Sequence, residues 1–138
     1  MQFKQVSIFV ENTPGRLSEI TSLIADSGIN IRAHTIADTT NYGILRIIVD
    51  DPQRCEQILK QAGLAVSITS VLAIGLEDTP GAFSKALSLL GRSGVSVEYA
   101  YVSLMKRGDK ICVILKVDDN EKAAAALAEG GIETYSAQ

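Results

Sequence analysis

The segment Glu11-Asn12-Thr13-Pro14-Gly15-Arg16-Leu17-Ser18 returns later in the chain as Glu77-Asp78-Thr79-Pro80-Gly81-Ala82-Phe83-Ser84. The match runs on to Ile31 in the first copy and Val97 in the second, and nine of these twenty-one positions are identical. A further echo lies two residues out of step, where Val49-Asp50-Asp51 answers Val117-Asp118-Asp119 and Ala62-Gly63-Leu64 answers Gly130-Gly131-Ile132. Self-similarity on this scale marks a duplicated structural unit. The expected units are 1–69 and 70–138. Each would be marginal alone at about 70 residues, so they are expected to share a sheet or a buried interface.

Each copy carries the same punctuation. A run of strand length, Phe3 to Val10 or Val71 to Leu76, stops at the Thr-Pro-Gly segment. A helix is expected to start there, with Thr13 and Thr79 at the N-cap and Pro14 and Pro80 in the first helical position, where no amide hydrogen is needed. Leu17, Ile20, Leu23 and Ile24 then fall at helical spacing, as do Phe83, Ala86, Leu87 and Leu90. Gly28 and Gly94 suit the left-handed position that closes a helix. Alternation follows, with Ile29, Ile31, Ala33 and Thr35 in one copy and Val95, Val97, Tyr99 and Tyr101 in the other, which predicts a half-buried strand. Apolar runs Ile44 to Val49 and Ile111 to Val117 are reached through the turns Asn41-Tyr42-Gly43 and Arg107-Gly108-Asp109. Asp51-Pro52 and Asp119-Asn120 open second helices, which end at Gly63 and near Gly130-Gly131.

The order strand, helix, strand, strand, helix, strand is a split βαβ unit, so the fold class is α+β: two ferredoxin-like βαββαβ units forming a shared antiparallel sheet with helices on one face. Ala65 to Leu76 must supply the last strand of one unit and the first of the next, with a break expected at Thr69-Ser70.

Composition narrows the function. Lys plus Arg total 13 against 16 Asp plus Glu, a net charge of −3, and aromatics make up 5%. That is no footprint for nucleic acid or an anionic membrane, and RNA-binding versions of this plan need aromatic strands and basic charge. The opening residues Met1 to Val6 lack an apolar leader core, and the longest uncharged stretch, Gln61 to Leu76, is too short to span a bilayer. A cytoplasmic location is expected. Cys55 and Cys112 lie far apart, outside any metal or disulfide spacing, and are read as buried thiols. Asp50-Asp51 and Asp118-Asp119 sit where helix caps are wanted, so no metal and no cofactor are expected. His34 has no identifiable serine or cysteine partner, so no catalytic residue is assigned, although a ligand contact by His34 stays open. Tyr99 and Tyr101 suit either sheet packing or ligand stacking.

The loop Glu11 to Leu17, its echo Glu77 to Phe83, and the strand starts Gly28-Ile29-Asn30-Ile31 and Gly94-Val95-Ser96-Val97 resemble the ACT domain family over essentially the whole chain, twice. The resemblance implies a regulatory module that holds a small molecule, typically an amino acid, where two such units meet. The residues agree with it. A Thr-Pro-Gly turn opening a helix presents backbone N–H groups and a positive dipole end suited to a carboxylate. The expected ligand-binding residues are Asn12, Thr13, Pro14, Gly15, Arg16, Leu17, Asn30 and Ile31 of the first copy, and Asp78, Thr79, Pro80, Gly81, Ala82, Phe83, Ser96 and Val97 of the second. Each pocket is expected to join one unit's loop to the other unit's strand start. Because Arg16 answers Ala82, only the first loop adds a guanidinium, and it is expected to be the better carboxylate site. The output must pass to a separate protein or to self-association as a homodimer. The alternative is a regulatory subunit of an amino-acid biosynthetic enzyme, resembling the acetolactate synthase small subunit, although such subunits carry a differently built C-terminal half.

Overall fold

The computed structural model describes residues 2–38 and 41–136. Two compact units divide it, one of Lys4–Thr69 and the other built from Ser70 onward together with the first residues of the chain. In chain order the elements are β1 (Phe3–Glu11), α1 (Arg16–Asp26), β2 (Ile31–Asp38), β3 (Tyr42–Val49), α2 (Pro52–Gln61), β4 (Val66–Leu76), α3 (Ala82–Arg92), β5 (Val97–Arg107), β6 (Lys110–Val117), α4 (Asn120–Glu129) and β7 (Glu133–Tyr135). Each unit is a βαββαβ repeat in which an antiparallel sheet carries two helices.

In the first unit β3 lies between β2 and β1, and the Phe9 amide donates to Ala65 O at 3.0 Å where the chain returns along the other edge of β1. Alternation along β1 sends Val6, Ile8 and Val10 to one face, where they meet Leu45, Ile47 and Val49 of β3 under Ile20, Ile24, Cys55 and Leu59 of the two helices. The second unit repeats this, with β6 between β5 and β4 and β7 on the far side of β4. Its core joins Leu72, Ile74, Leu76, Val113 and Leu115 to Ala86, Leu90, Ala123 and Leu127.

The helix ends follow the chemistry read from the glycines. After α1, Gly28 takes φ +75° and donates to Ala25 O, while Ile29 donates to Ile24 O; Gly94 and Val95 repeat both bonds after α3 with Gly91 and Leu90. This is the Schellman closure, in which an apolar residue after the glycine packs back on the helix. Asp51 and Asp119 cap α2 and α4, their side chains accepting from the amides of Arg54 at 3.2 Å and Lys122 at 3.0 Å.

Two expectations are corrected. The break at Thr69-Ser70 does not occur, because Val66 to Leu76 is rich in β-branched and apolar residues and holds no proline, asparagine or aspartate and no glycine before Gly75, and β4 runs through it. The helices after the Thr-Pro-Gly segments begin two residues later than expected, at Arg16 and Ala82, for reasons given below. The strands expected after Gly28 and Gly94 carry β-bulges. Val97 faces Val117 and Tyr99 faces Lys116, so one extra residue on β5 sets Ala100 and Val102 opposite Leu115 and Val113, yet burial still alternates as expected, with Tyr101 buried and Ala100 and Val102 exposed. The same slip occurs between Ile31 and Ala33 of β2.

Candidate functional site

Thr13 and Thr79 are not N-caps. Thr13 to Arg16 closes a β-turn in which Arg16 N donates to Thr13 O at 3.3 Å, with Pro14 second and Gly15 third at φ +83° and ψ −9°. Thr79 to Ala82 closes the same turn at 3.3 Å, with Gly81 at φ +86° and ψ −4°. These angles define a type II turn, which wants proline at its second position and glycine at its third. The threonine carbonyl is spent on the turn, so each helix starts after the glycine. No side chain caps either helix. Glu19 N reaches Gly15 O and Lys85 N reaches Gly81 O, which leaves the amides of Leu17, Ser18, Phe83 and Ser84 without partners among the described residues. Two amides facing outward at a helix start make an anion seat.

The second loop opens onto a cleft of about 320 Å³. Glu77, Asp78, Thr79, Ala82 and Phe83 line it from the loop and helix, the strand segment Ala100–Val102 from β5, and Leu76, Ile111 and Val113 from the sheet floor. Four expected site residues therefore come together, while Ser96 and Val97 are not among those lining it. Phe83 begins the apolar stripe of α3 but stays 44% exposed, and Val102 is 64% exposed. Asp78 has neither an ion pair nor a hydrogen bond among the described residues. Its neighbour Glu77 lies 3.9 Å from Lys110, which also approaches Glu133 at 3.8 Å.

The first loop differs at its centre. Arg16 stands where Ala82 stands in the second, and its guanidinium donates to Glu19 Oε2 at 3.1 Å on its own helix. This exposed pair is weak, of order 0 to 1 kcal/mol, so a bound carboxylate can compete for the guanidinium. Asn12 is held through its backbone, its amide donating to Asn41 O at 3.1 Å. Asn30 and Ile31 line a separate shallow hollow of about 400 Å³ with Thr21, Ser22, Ala25 and Ile29, to which Asn12 to Leu17 do not contribute.

The strand starts are already engaged. Asn30 N donates to Asp50 Oδ1 at 3.1 Å and Asp50 N donates to Asn30 O at 3.3 Å; Ser96 and Asp118 repeat the pair at 3.0 and 3.2 Å. Of each Asp-Asp doublet, the second residue caps a helix and the first fastens a strand start. The first role was missed in the sequence, where both carboxylates looked like caps.

His34 is exposed on β2. Burial pushes the Cys55 thiol up to about 11, with Asp51 and Asp50 adding to the effect, and burial likewise raises Cys112. Thiols so shifted are poor nucleophiles near neutral pH. No group of three or more His, Cys, Asp or Glu side chains suited to a metal ion occurs among the described residues, nor does a helix long and apolar enough to cross a membrane. Tyr101 is buried, which fits sheet packing, although its strand segment also borders the cleft. Sequence reasoning missed Leu76, Ala100, Val102, Ile111 and Val113 as lining residues. The bulge after Val97 sets Ala100 and Val102 opposite Leu115 and Val113, and no residue pattern announces it.

A family model described as an ACT domain pair matches residues 1–134. A solved structure of a Bacteroides thetaiotaomicron protein superposes with a TM-score of 0.91 at 37% identity, covering 99% of this chain and 94% of that one. The ligand-free regulatory subunit of aspartate kinase from Thermus thermophilus shares the fold, with a TM-score of 0.67, 16% identity and coverage of 93% and 91%. Among curated proteins, the acetolactate synthase small subunit of Buchnera aphidicola subsp. Baizongia pistaciae (strain Bp) is 32% identical over 81 residues, 56% of this chain and 51% of that one. The chain thus spans about half the length of the curated relative it matches.

Proposed function

The chain belongs to the ACT domain pair family, and on that premise we propose that it is a regulatory protein without catalytic activity that binds a free amino acid at its strand-to-helix loops and signals to a separate protein. The observation that carries this reading is the cleft at the second loop, where helix-start amides and a carboxylate, all without partners among the described residues, adjoin one another. Those two groups complement the two charges of a zwitterion. The amides of Phe83 and Ser84 receive the carboxylate, and Asp78 the ammonium group. In the first copy the amides of Leu17 and Ser18 take the carboxylate with Arg16 beside them, and Asn12 faces the ammonium group.

The strand starts Asn30-Ile31 and Ser96-Val97 belong to this proposal as positioning segments, fixed by Asp50 and Asp118. Turn residues Thr13, Pro14, Gly15, Pro80 and Gly81 hold the amides in place, and Thr79 does so while also lining the cleft. The signal leaves through self-association or a partner in the cytoplasm, since a ligand shifts a state only by binding it more tightly than the alternative.

Calorimetric titration of the whole protein with each of the common amino acids tests the reading. Binding between about 10 μM and 1 mM is expected, roughly 7 to 4 kcal/mol. Silence across the whole set overturns it. A second reading, a subunit that regulates an amino-acid biosynthetic enzyme through direct contact, is favoured by the match to the acetolactate synthase small subunit. Co-purification of a large catalytic partner from the native source supports that reading.

A further inference from the structure

We infer that the cleft of the second unit selects amino acids with an uncharged apolar side chain and rejects acidic ones. The inference rests on the reading above, that the loops bind amino acids, and adds which ligand class and which loop. Three observations carry it.

The first is the lining. The charged lining residues, Glu77 and Asp78, both lie at the loop, and the rest of the lining, with Leu76, Ala82, Phe83, Val102, Ile111 and Val113 as its apolar walls, carries no charge. Phe83 and Val102 are the exposed pair of that wall, at 44% and 64%. An apolar ligand side chain would cover both, and a fully buried aliphatic side chain is worth about ten-fold or more in affinity over none.

The second is the space. Ala82 lines the cleft, whereas its counterpart in the first unit is Arg16, whose long side chain lies along its own helix toward Glu19. Alanine leaves room for ligand atoms beside the helix start. At about 320 Å³ the cleft stands at the small end of ligand sites and suits a molecule the size of one amino acid.

The third is the rim charge. Asp78 has no ion pair or hydrogen bond among the described residues, and the carboxylates of Glu77 and Glu133 share Lys110, with Arg107 engaged over the Tyr135 ring. Negative charge is therefore in excess around the mouth. It attracts the ammonium group and repels a second carboxylate on the ligand. The amides of Phe83 and Ser84 remain for the one carboxylate that every amino acid carries.

The experiment is a calorimetric comparison of leucine, phenylalanine, glycine, serine and glutamate on the whole protein and on the variants Phe83→Ala, Val102→Ser and Arg16→Ala. Phe83 and Val102 are exposed, so the first two variants should fold, which circular dichroism checks. The expected result is leucine or phenylalanine bound at least about ten-fold more tightly than glycine, no glutamate binding, and a loss of about three-fold or more in each of Phe83→Ala and Val102→Ser. Preferred binding of glutamate or serine overturns the inference while leaving the amino-acid reading standing. Apolar binding lost in Arg16→Ala but untouched by both cleft variants moves the site to the first loop and also overturns it. If none of the five binds, the inference fails, and the wider panel above then decides whether the amino-acid reading fails with it.

Discussion

Asp50 and Asn30 exchange two hydrogen bonds, the Asn30 amide donating to the Asp50 carboxylate at 3.1 Å and the Asp50 amide donating to the Asn30 carbonyl at 3.3 Å. Asp118 and Ser96 do the same in the second unit. The pair ties the entry of the strand after the first helix to the exit of the next strand. Asp50→Ala and Asp118→Ala should each lower stability by about 1 kcal/mol in urea denaturation, because a backbone amide loses a charged acceptor at an exposed site. Asn at either position keeps an acceptor oxygen and should lose less. Equal losses for Ala and Asn would mean that the carboxylate charge, not the acceptor, is what matters.

Gly15 and Gly81 are required by geometry rather than by crowding. Both sit at positive φ, and a Cβ added to either meets nothing within 4 Å. Gly15→Ala and Gly81→Ala should therefore each cost about 1 to 2 kcal/mol from backbone strain alone, measured as a lowered urea midpoint with an unchanged slope. A change of under half that would show that the turn relaxes to another type.

The repeat and its turn residues made the architecture legible, because glycine, proline and aspartate act locally and sit at matched places in both copies. Gly28 and Gly94 close their helices as read, and Asp51 and Asp119 cap theirs. What escaped was set by partners distant in sequence. Thr13 looked like a cap because threonine usually is one, but its carbonyl closes the Pro-Gly turn first. Ala100 and Val102 carried no signal in the residue pattern, because their place opposite Leu115 and Val113 follows from a bulge that only the pairing with β6 creates. The loop half of the candidate site was therefore readable, and its apolar wall was not.

Tyr135 carries a buried hydroxyl with no hydrogen-bond partner among the described residues. Its ring lies beneath the Arg107 guanidinium, 4.8 Å from the ring centroid, and its hydroxyl end rests against the bare backbone of Gly75. Tyr135→Phe keeps the packing and the cation–π contact and removes the unsatisfied group. It should leave stability unchanged or raise it by roughly 1 kcal/mol. A loss above about 1 kcal/mol on thermal melting would reveal a partner for the hydroxyl. Gly75→Ala, by contrast, drives a methyl into the Tyr135 side chain and should destabilise by about 1 to 3 kcal/mol.

Cys55 gives the stability a pH dependence whose sign is fixed by its shift. Burial, and after it the charges of Asp51 and Asp50, raise the thiol from an ordinary 9.0 to about 11 in the folded protein. Below pH 9 both states hold the proton and the thiol contributes no slope. Between 9 and 11 the unfolded chain releases it and the folded one does not, so stability falls as pH rises, by at most about 3 kcal/mol at 1.36 kcal/mol per unit. Cys55→Ala should cost a constant amount at every pH through the space it leaves, yet lack this extra decline. Urea denaturation of both proteins at pH 8, 9, 10 and 11 separates the two effects. The curves should converge above pH 9, since the other titrating groups are common to both. Curves that stay parallel to pH 11 would show that the folded thiol ionises as readily as the unfolded one, and that Cys55 is wetter than its place between α2 and the sheet implies.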